Sequence, residues 1–179
     1  MSPDLSRYDN SWYDPGGSGV KRVVWYFVNA VFIKSHFNPV SGIKVRLLRL
    51  FGAKIGRGVV IKPGVSVKYP WLLSIGDYSW IGEDVWIDNL AQVSIGSNCC
   101  VSQGAMLLCG NHNYRLPTFD LMIKPITLED GVWIGAKSVV CPGVTAGRDS
   151  ILTVGSMATS DMEVGKIYQG VPATVKAVR

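Results

Sequence analysis

From residue 55 onward the chain repeats itself every six residues, and this period constrains its fold more than any other feature. Hexads open at Ile55, Ile61, Val67, Ile75, Ile81, Ile87, Ile95, Val101, Leu107, Leu128, Ile134, Val140, Ala146, Leu152 and Ala158. Thirteen of the 15 openings are Ile, Leu or Val; the second position is Gly, Asp or Glu in eight, and the fifth is Val, Ser, Ala or Cys in 12. A strand alternates faces every two residues, so positions one and five point the same way. The large aliphatic fills a central column, and the small residue leaves it room near a turn. A glycine at position two suits corner conformations that other residues enter at a cost. Three short strands and three corners close one triangular coil of 18 residues. Stacked coils share ladders with about 4.8 Å between neighbours. A single coil cannot bury its apolar face, so several must stack. The pattern predicts an all-β solenoid, a parallel β-helix.

Openings at 55, 75, 95, 128 and 146 define about five coils, with steps of 20, 20, 33 and 18 residues. The long step hides one excursion, residues 110–125, reading GNHNYRLPTFDLMIKP. A regular solenoid that interrupts itself once places there a protruding loop, the kind of element that carries function. Ahead of the repeat, residues 1–54 form an arm and a helical cap. Residues 1–18 read as irregular, ending in the turn chemistry of Asp14-Pro15-Gly16-Gly17-Ser18-Gly19. Residues 20–37 are helix-compatible, and Val23 to Val28 is apolar on every side. That run either packs under the solenoid or between subunits, or lies in a lipid interface. Pro39 breaks it, and Ile43 to Phe51 reads as a second short helix that covers the open strand edges of the first coil. The β-helix spans 55–165, and residues 166–179 form a C-terminal cap.

Charge is distributed unevenly. Between Asp14 and Asp77 there is no acidic residue and ten basic ones, so that stretch carries +10 against −5 for the rest, within a net charge of +5. Such a surface attracts an anionic partner or simply keeps the protein soluble. Nucleic acid is set aside, because no recognised motif accompanies the charge. The longest near-apolar run, Val23 to Ile33, has 11 residues, short of the about 20 a spanning helix needs. The N-terminus lacks the basic start and apolar core of a signal peptide. Cys99, Cys100, Cys109 and Cys141 form no CxxC pair and read as free thiols in a reducing cytoplasm. No metal is expected: a three-histidine zinc site is beyond a chain with two histidines.

The hexads from 55 to 176, with the closing Gly170-Val171-Pro172-Ala173, resemble the hexapeptide-repeat acyltransferases, whose fold is a left-handed parallel β-helix. The segments YDNSWY (Tyr8 to Tyr13), RLFGAKIG (Arg49 to Gly56) and IKPGVSVKYPW (Ile61 to Trp71) narrow the resemblance to colanic acid biosynthesis acetyltransferases of the WcaF type. The resemblance implies an O-acetyltransferase that uses acetyl-CoA as co-substrate and modifies a sugar hydroxyl of an exopolysaccharide precursor. It also implies a homotrimer whose thioester lies in a trench between subunits. A sugar or lipid-linked glycan as acceptor would place the enzyme in the cytoplasm, in peripheral contact with an anionic inner-membrane surface through its basic N-terminal third. Two other readings stay open: an acetyltransferase for another small acceptor, of the xenobiotic or serine type, and a non-catalytic β-helix binding module.

His112 stands where the third coil gives way to the long loop, the place of the family's general base. Histidine is the side chain whose ordinary titration range suits taking a proton from a hydroxyl near neutral pH. A lone histidine in a polar loop is also, in the plainer reading, just exposed. Where relatives commonly read His-Asp-Tyr, this chain reads His112-Asn113-Tyr114, so the partner of the other imidazole nitrogen is left open. The resemblance assigns Trp133, Ala136 and Val154 to the coenzyme A trench, Thr159 and Ser160 to the next corner, and Lys176 to the coenzyme's phosphates. Relatives often carry lysine at the place of Ser160. Asp84, Trp86, Asp88 and Asn89, with Tyr114 in the loop, are the candidates for holding a sugar. Each of these could instead be ordinary coil or turn structure.

Overall fold

The computed structural model describes residues 2–179. Strands of mostly two or three residues stack into three parallel sheets, the faces of a triangular prism. The first face carries the strands at Lys54–Ile55, Leu73–Ile75, Val93–Ile95, Ile126–Leu128 and Thr145–Ala146. The second begins at Val60–Ile61 and runs through Trp80–Ile81, Cys100–Val101, Trp133–Ile134 and Ile151–Leu152. The third runs from Ser66–Val67 to Met157–Ala158. Hexad openings stack in register, as in Ile55 on Ile75, Ile75 on Ile95 and Leu128 on Ala146. The coils make a left-handed parallel β-helix.

The five coils stand where the repeat puts them, and a partial sixth follows. Met162 bridges to Ala146, and Lys166–Gly170 pairs in parallel with Ile151–Leu152. Ala173–Val178 then folds back antiparallel on that strand. The first half of the segment read as a separate cap therefore continues the ladder.

Positions one and five both point inward, and nearly all are buried, from Ile55 and Val59 to Leu152 and Ser156. Position two needs correction. Its glycines are demanded by the stack, not by a corner torsion: a Cβ on Gly82 would lie 2.6 Å from the backbone nitrogen of Gln103 in the next coil. The left-handed conformation falls instead at position four, where Gly104 has φ +65° and Asp84 takes the same place with φ +57°.

Two helices cover the open end of the prism. Helix α1 (Gly19–Val28) starts at Ser18, whose hydroxyl accepts from the Lys21 N–H, and continues as a π-helical turn, Asn29–Ile33. Trp25 anchors it: the indole N–H donates to the Val67 carbonyl at 3.0 Å and the ring leans on Phe51. Helix α2 (Ser41–Leu50) packs on the first strands of the first and second faces through Val45 and Leu48. Beside Val45, Lys44 is fully buried, its ammonium donating to the Lys62 carbonyl at 2.8 Å; burial lowers its pKa. The helices thus satisfy strand edges that would otherwise stay open.

The excursion at 110–125 is not an irregular loop. Gly110–His112 and Leu121–Ile123 pair antiparallel, with His112 opposite Leu121, so a β-hairpin projects from the corner between the third and first faces.

Candidate active site

His112 ends the first strand of this hairpin, which holds its ring against the hairpin's own return. Nδ1 lies 2.9 Å from the Phe119 carbonyl oxygen. A carbonyl can only accept, so Nδ1 carries the proton and Nε2 keeps the basic lone pair. Phe119 sits in the left-handed region at φ +51°, which turns its carbonyl toward the imidazole and its ring onto it. The two rings stack with centroids 4.4 Å apart and planes within 5°. Tyr8, from the N-terminal arm, meets the imidazole edge-on at 5.5 Å. The group that orients His112 is therefore a backbone carbonyl, which answers what the sequence leaves open.

The arm is ordered by the body it crosses. The Asp4 N–H donates to the Pro117 carbonyl of the hairpin, the Tyr13 hydroxyl to the Leu90 carbonyl, and the Trp71 indole to the Pro15 carbonyl. Burial raises the pKa of the Tyr13 phenol, which keeps it a neutral donor. Arm and prism border an open cavity of about 540 Å³ that Tyr8, Asn10, Tyr13, Arg22, Lys68 and His112 help to line. A second cleft of about 360 Å³ shares Arg22, Lys68 and Tyr69 with it and extends to Trp86 and Asp88. Lys68 pairs with Asp88 at 2.9 Å.

The four polar candidates of the second coil separate. Trp86, exposed on the third face, and Asp88 stand in the cleft. Asn89 is a correction: it is wholly buried, its oxygen accepts from the Tyr69 N–H, and its amide donates to the Tyr69 and Leu72 carbonyls. An amide committed to three backbone groups and wholly out of reach of solvent shapes the corner and presents no atom to a ligand. Asp84 lies on another corner, between the second and third faces, where its carboxylate meets the His36 ring at 2.9 Å. Tyr114 stands exposed near the hairpin tip beside Arg115 and does not line the cavity.

The residues assigned to the coenzyme gather elsewhere. Trp133, Ala136 and Val154 line one groove of about 410 Å³ with Ser102, Ile151 and Thr153. Cross-coil pairing explains why they meet: Trp133 stacks on Ile151, and the Gly155 N–H donates to the Ala136 carbonyl. Gly135 lets the coils approach, since a Cβ there would lie 2.5 Å from the Val154 nitrogen. The Trp133 indole donates to the Ser102 hydroxyl at 2.9 Å, which fixes the ring as a wall. The walls of this groove are mostly apolar. Thr159 and Ser160 are exposed at the corner between the third and first faces and are not part of this groove. Lys176 is the exposed extra residue of a bulge in the strand that closes the second face.

Sequence reasoning missed Tyr8, Tyr13, Arg22, Lys68 and Phe119 as neighbours of His112. The YDNSWY segment carried the available signal, an aromatic-rich arm without a helix or strand pattern. Among the described residues, no three His, Cys, Asp or Glu side chains are grouped to hold a metal ion.

No family model matches the chain. It is 34% identical over 172 residues to the Escherichia coli (strain K12) protein named as colanic acid biosynthesis acetyltransferase WcaF, covering 96% of this chain and 94% of that one. A solved galactoside acetyltransferase in complex with coenzyme A superposes with a TM-score of 0.77 at 26% identity, over 89% of this chain and 80% of that one. A hexapeptide-repeat acetyltransferase from Vibrio cholerae, solved with acetyl coenzyme A, shares the fold with a TM-score of 0.80 at 22% identity, over 89% and 88% of the two chains. With a prism, a corner hairpin and a likeness that runs along almost its whole length, the chain belongs to the hexapeptide-repeat acetyltransferases of the WcaF type, which are acyl-CoA-dependent enzymes.

Proposed function

We propose that the protein moves an acetyl group from acetyl-CoA to a sugar hydroxyl in exopolysaccharide biosynthesis, with His112 as general base. The hydrogen bond from Nδ1 to the Phe119 carbonyl carries this reading, because it leaves Nε2 as the basic atom of a ring that lines a polar cavity. The acceptor hydroxyl gives its proton to Nε2 while its oxygen attacks the thioester carbonyl carbon. The tetrahedral intermediate collapses by breaking the C–S bond, and the imidazolium returns the proton to the departing sulfur. No acyl-enzyme forms. Trp86 and Asp88, the latter paired with Lys68, hold the sugar, and the Arg22 cation suits an acceptor that carries an anionic group. Asp84 is exposed enough to reach a ligand from its own corner.

The apolar groove at Trp133, Ala136 and Val154 takes the pantetheine arm, and Lys176, on the same face, takes the phosphates. The groove and the His112 cavity share no lining residue. A homotrimer that sets the hairpin corner of one copy against the groove of the next joins the two halves, and brings Thr159, Ser160 and Tyr114 to the same seam.

Thiol release from acetyl-CoA, measured with a panel of sugar acceptors, tests the reading. His112→Ala should slow the reaction by about 10²–10⁴. An undiminished rate in that variant contradicts it.

A further inference from the structure

The helical cap has two apolar faces, and only one has a partner among the described residues. Trp25, Asn29 and Ile33 turn toward the prism. On the opposite side of the same turns, Val20, Val23, Val24, Phe27 and Val31 are exposed and follow one another at helical spacing. Phe32 extends this stripe, and Phe37, wholly exposed, stands at the turn beyond it. The outward side of α2 adds Ile43 and Leu50 with Arg46 between them. A run of exposed apolar side chains along one helix face marks an interaction site. Its charge says with what: from residue 15 to 76 there is no carboxylate side chain, and Lys34 and Arg46 stand exposed beside the stripe. Lys21 does not belong to it, because its ammonium lies over the Trp71 ring, 4.7 Å from the centroid. Arg22 faces the cavity.

We propose that the outward faces of α1 and α2 dock on the surface of a bilayer that contains anionic lipid, with Val20, Val23, Val24, Phe27, Val31 and Phe37 entering the headgroup boundary. Apolar residues on one side of a short helix whose own segment carries cations and no acid have the chemistry of interfacial binding, and the one carboxylate that meets the cap near Phe37, Asp84, is paired with His36. No helix among the described residues is long and apolar enough to cross a membrane, so this contact lies on the surface. A second copy of the cap is the poorer occupant, since face-to-face contact sets Lys34 and Arg46 against their own like charges. The inference does not rest on the acetyl-transfer reading; α1 simply serves both, with Arg22 and Tyr26 toward the cleft and the valine stripe outward.

Cosedimentation with vesicles tests it, using phosphatidylcholine alone and phosphatidylcholine with about one-third phosphatidylglycerol. The full chain should partition onto the anionic vesicles, and high salt should weaken that binding. Phe27→Glu with Phe37→Glu should cut the partition at least about tenfold, and Lys34→Glu with Arg46→Glu should do the same. Thermal melts and thiol release with a soluble acceptor should stay as in the parent for both pairs. Three results overturn the proposal: no partition of the parent, partition that survives both pairs of substitutions, or a drop in assembly size by light scattering in the Phe27→Glu, Phe37→Glu pair. The last would show that the stripe is covered by another copy of the chain.

Discussion

Two side chains show how little of a residue's role lies in its identity. His112 owes its tautomer to a backbone carbonyl, and that carbonyl points correctly because Phe119 holds φ at +51°. Proline fixes φ near −65° and lacks the N–H that Phe119 donates to Leu116. Phe119→Pro should therefore lower kcat by about 10²-fold while the KM for acetyl-CoA stays put, with Phe119→Gly, which keeps both carbonyl and torsion, within about tenfold of the parent. Equal loss in the two variants would make the stacked ring, not the carbonyl, the important part. Asn89 presents the opposite case. In sequence a buried amide and a surface amide look alike, and Asp88-Asn89 has the look of a sugar-binding pair. Its burial and its bonds to Tyr69 and Leu72 settle its place. Asn89→Ala leaves the Tyr69 N–H and the Leu72 carbonyl unpaired, while the Tyr69 carbonyl keeps the Leu72 N–H, and should cost about 2–4 kcal/mol in denaturant unfolding. In material that still folds, the acceptor KM should not move; a large rise in KM would return Asn89 to the ligand.

At the scale of elements, the solenoid is legible because its period is the period of the structure. Each Ile, Leu or Val opening sits on its counterpart one coil away, so the repeat in sequence and the column in space are the same object. The position-two glycines are legible as glycines but not for their reason, because the constraint comes from the neighbouring coil. Gly82→Ala puts a methyl 2.6 Å from the Gln103 nitrogen, backbone that cannot step aside. It should lower stability by about 1–3 kcal/mol, seen as a fall in Tm. An unchanged Tm would mean that the coils separate more readily than their spacing indicates. The hairpin and the arm were out of reach for a different reason. Leu121 faces His112 across a chain reversal, and Tyr8 reaches the same ring from more than a hundred residues away in sequence. No local pattern encodes either meeting.

At the scale of the whole molecule, the chain divides its chemistry between places that a single prism keeps apart. The imidazole stands at the corner between the third and first faces, and the apolar groove on the second face and the corner after it. The basic cap closes one end. The trimer proposed above would bring a different corner of each copy to every seam, so that one interface completes the site. Mixing inactive subunits tests this most directly. His112→Ala lacks the base, and Ala136→Trp fills the groove; each alone should be inactive. Coexpressed under separate tags and purified as mixed trimers, they should regain about a third of parental thiol release, the one seam in each trimer that pairs an intact His112 with an intact groove from the next copy. Mixed assemblies as inactive as their parents would place base and groove in the same chain and contradict a site built between subunits.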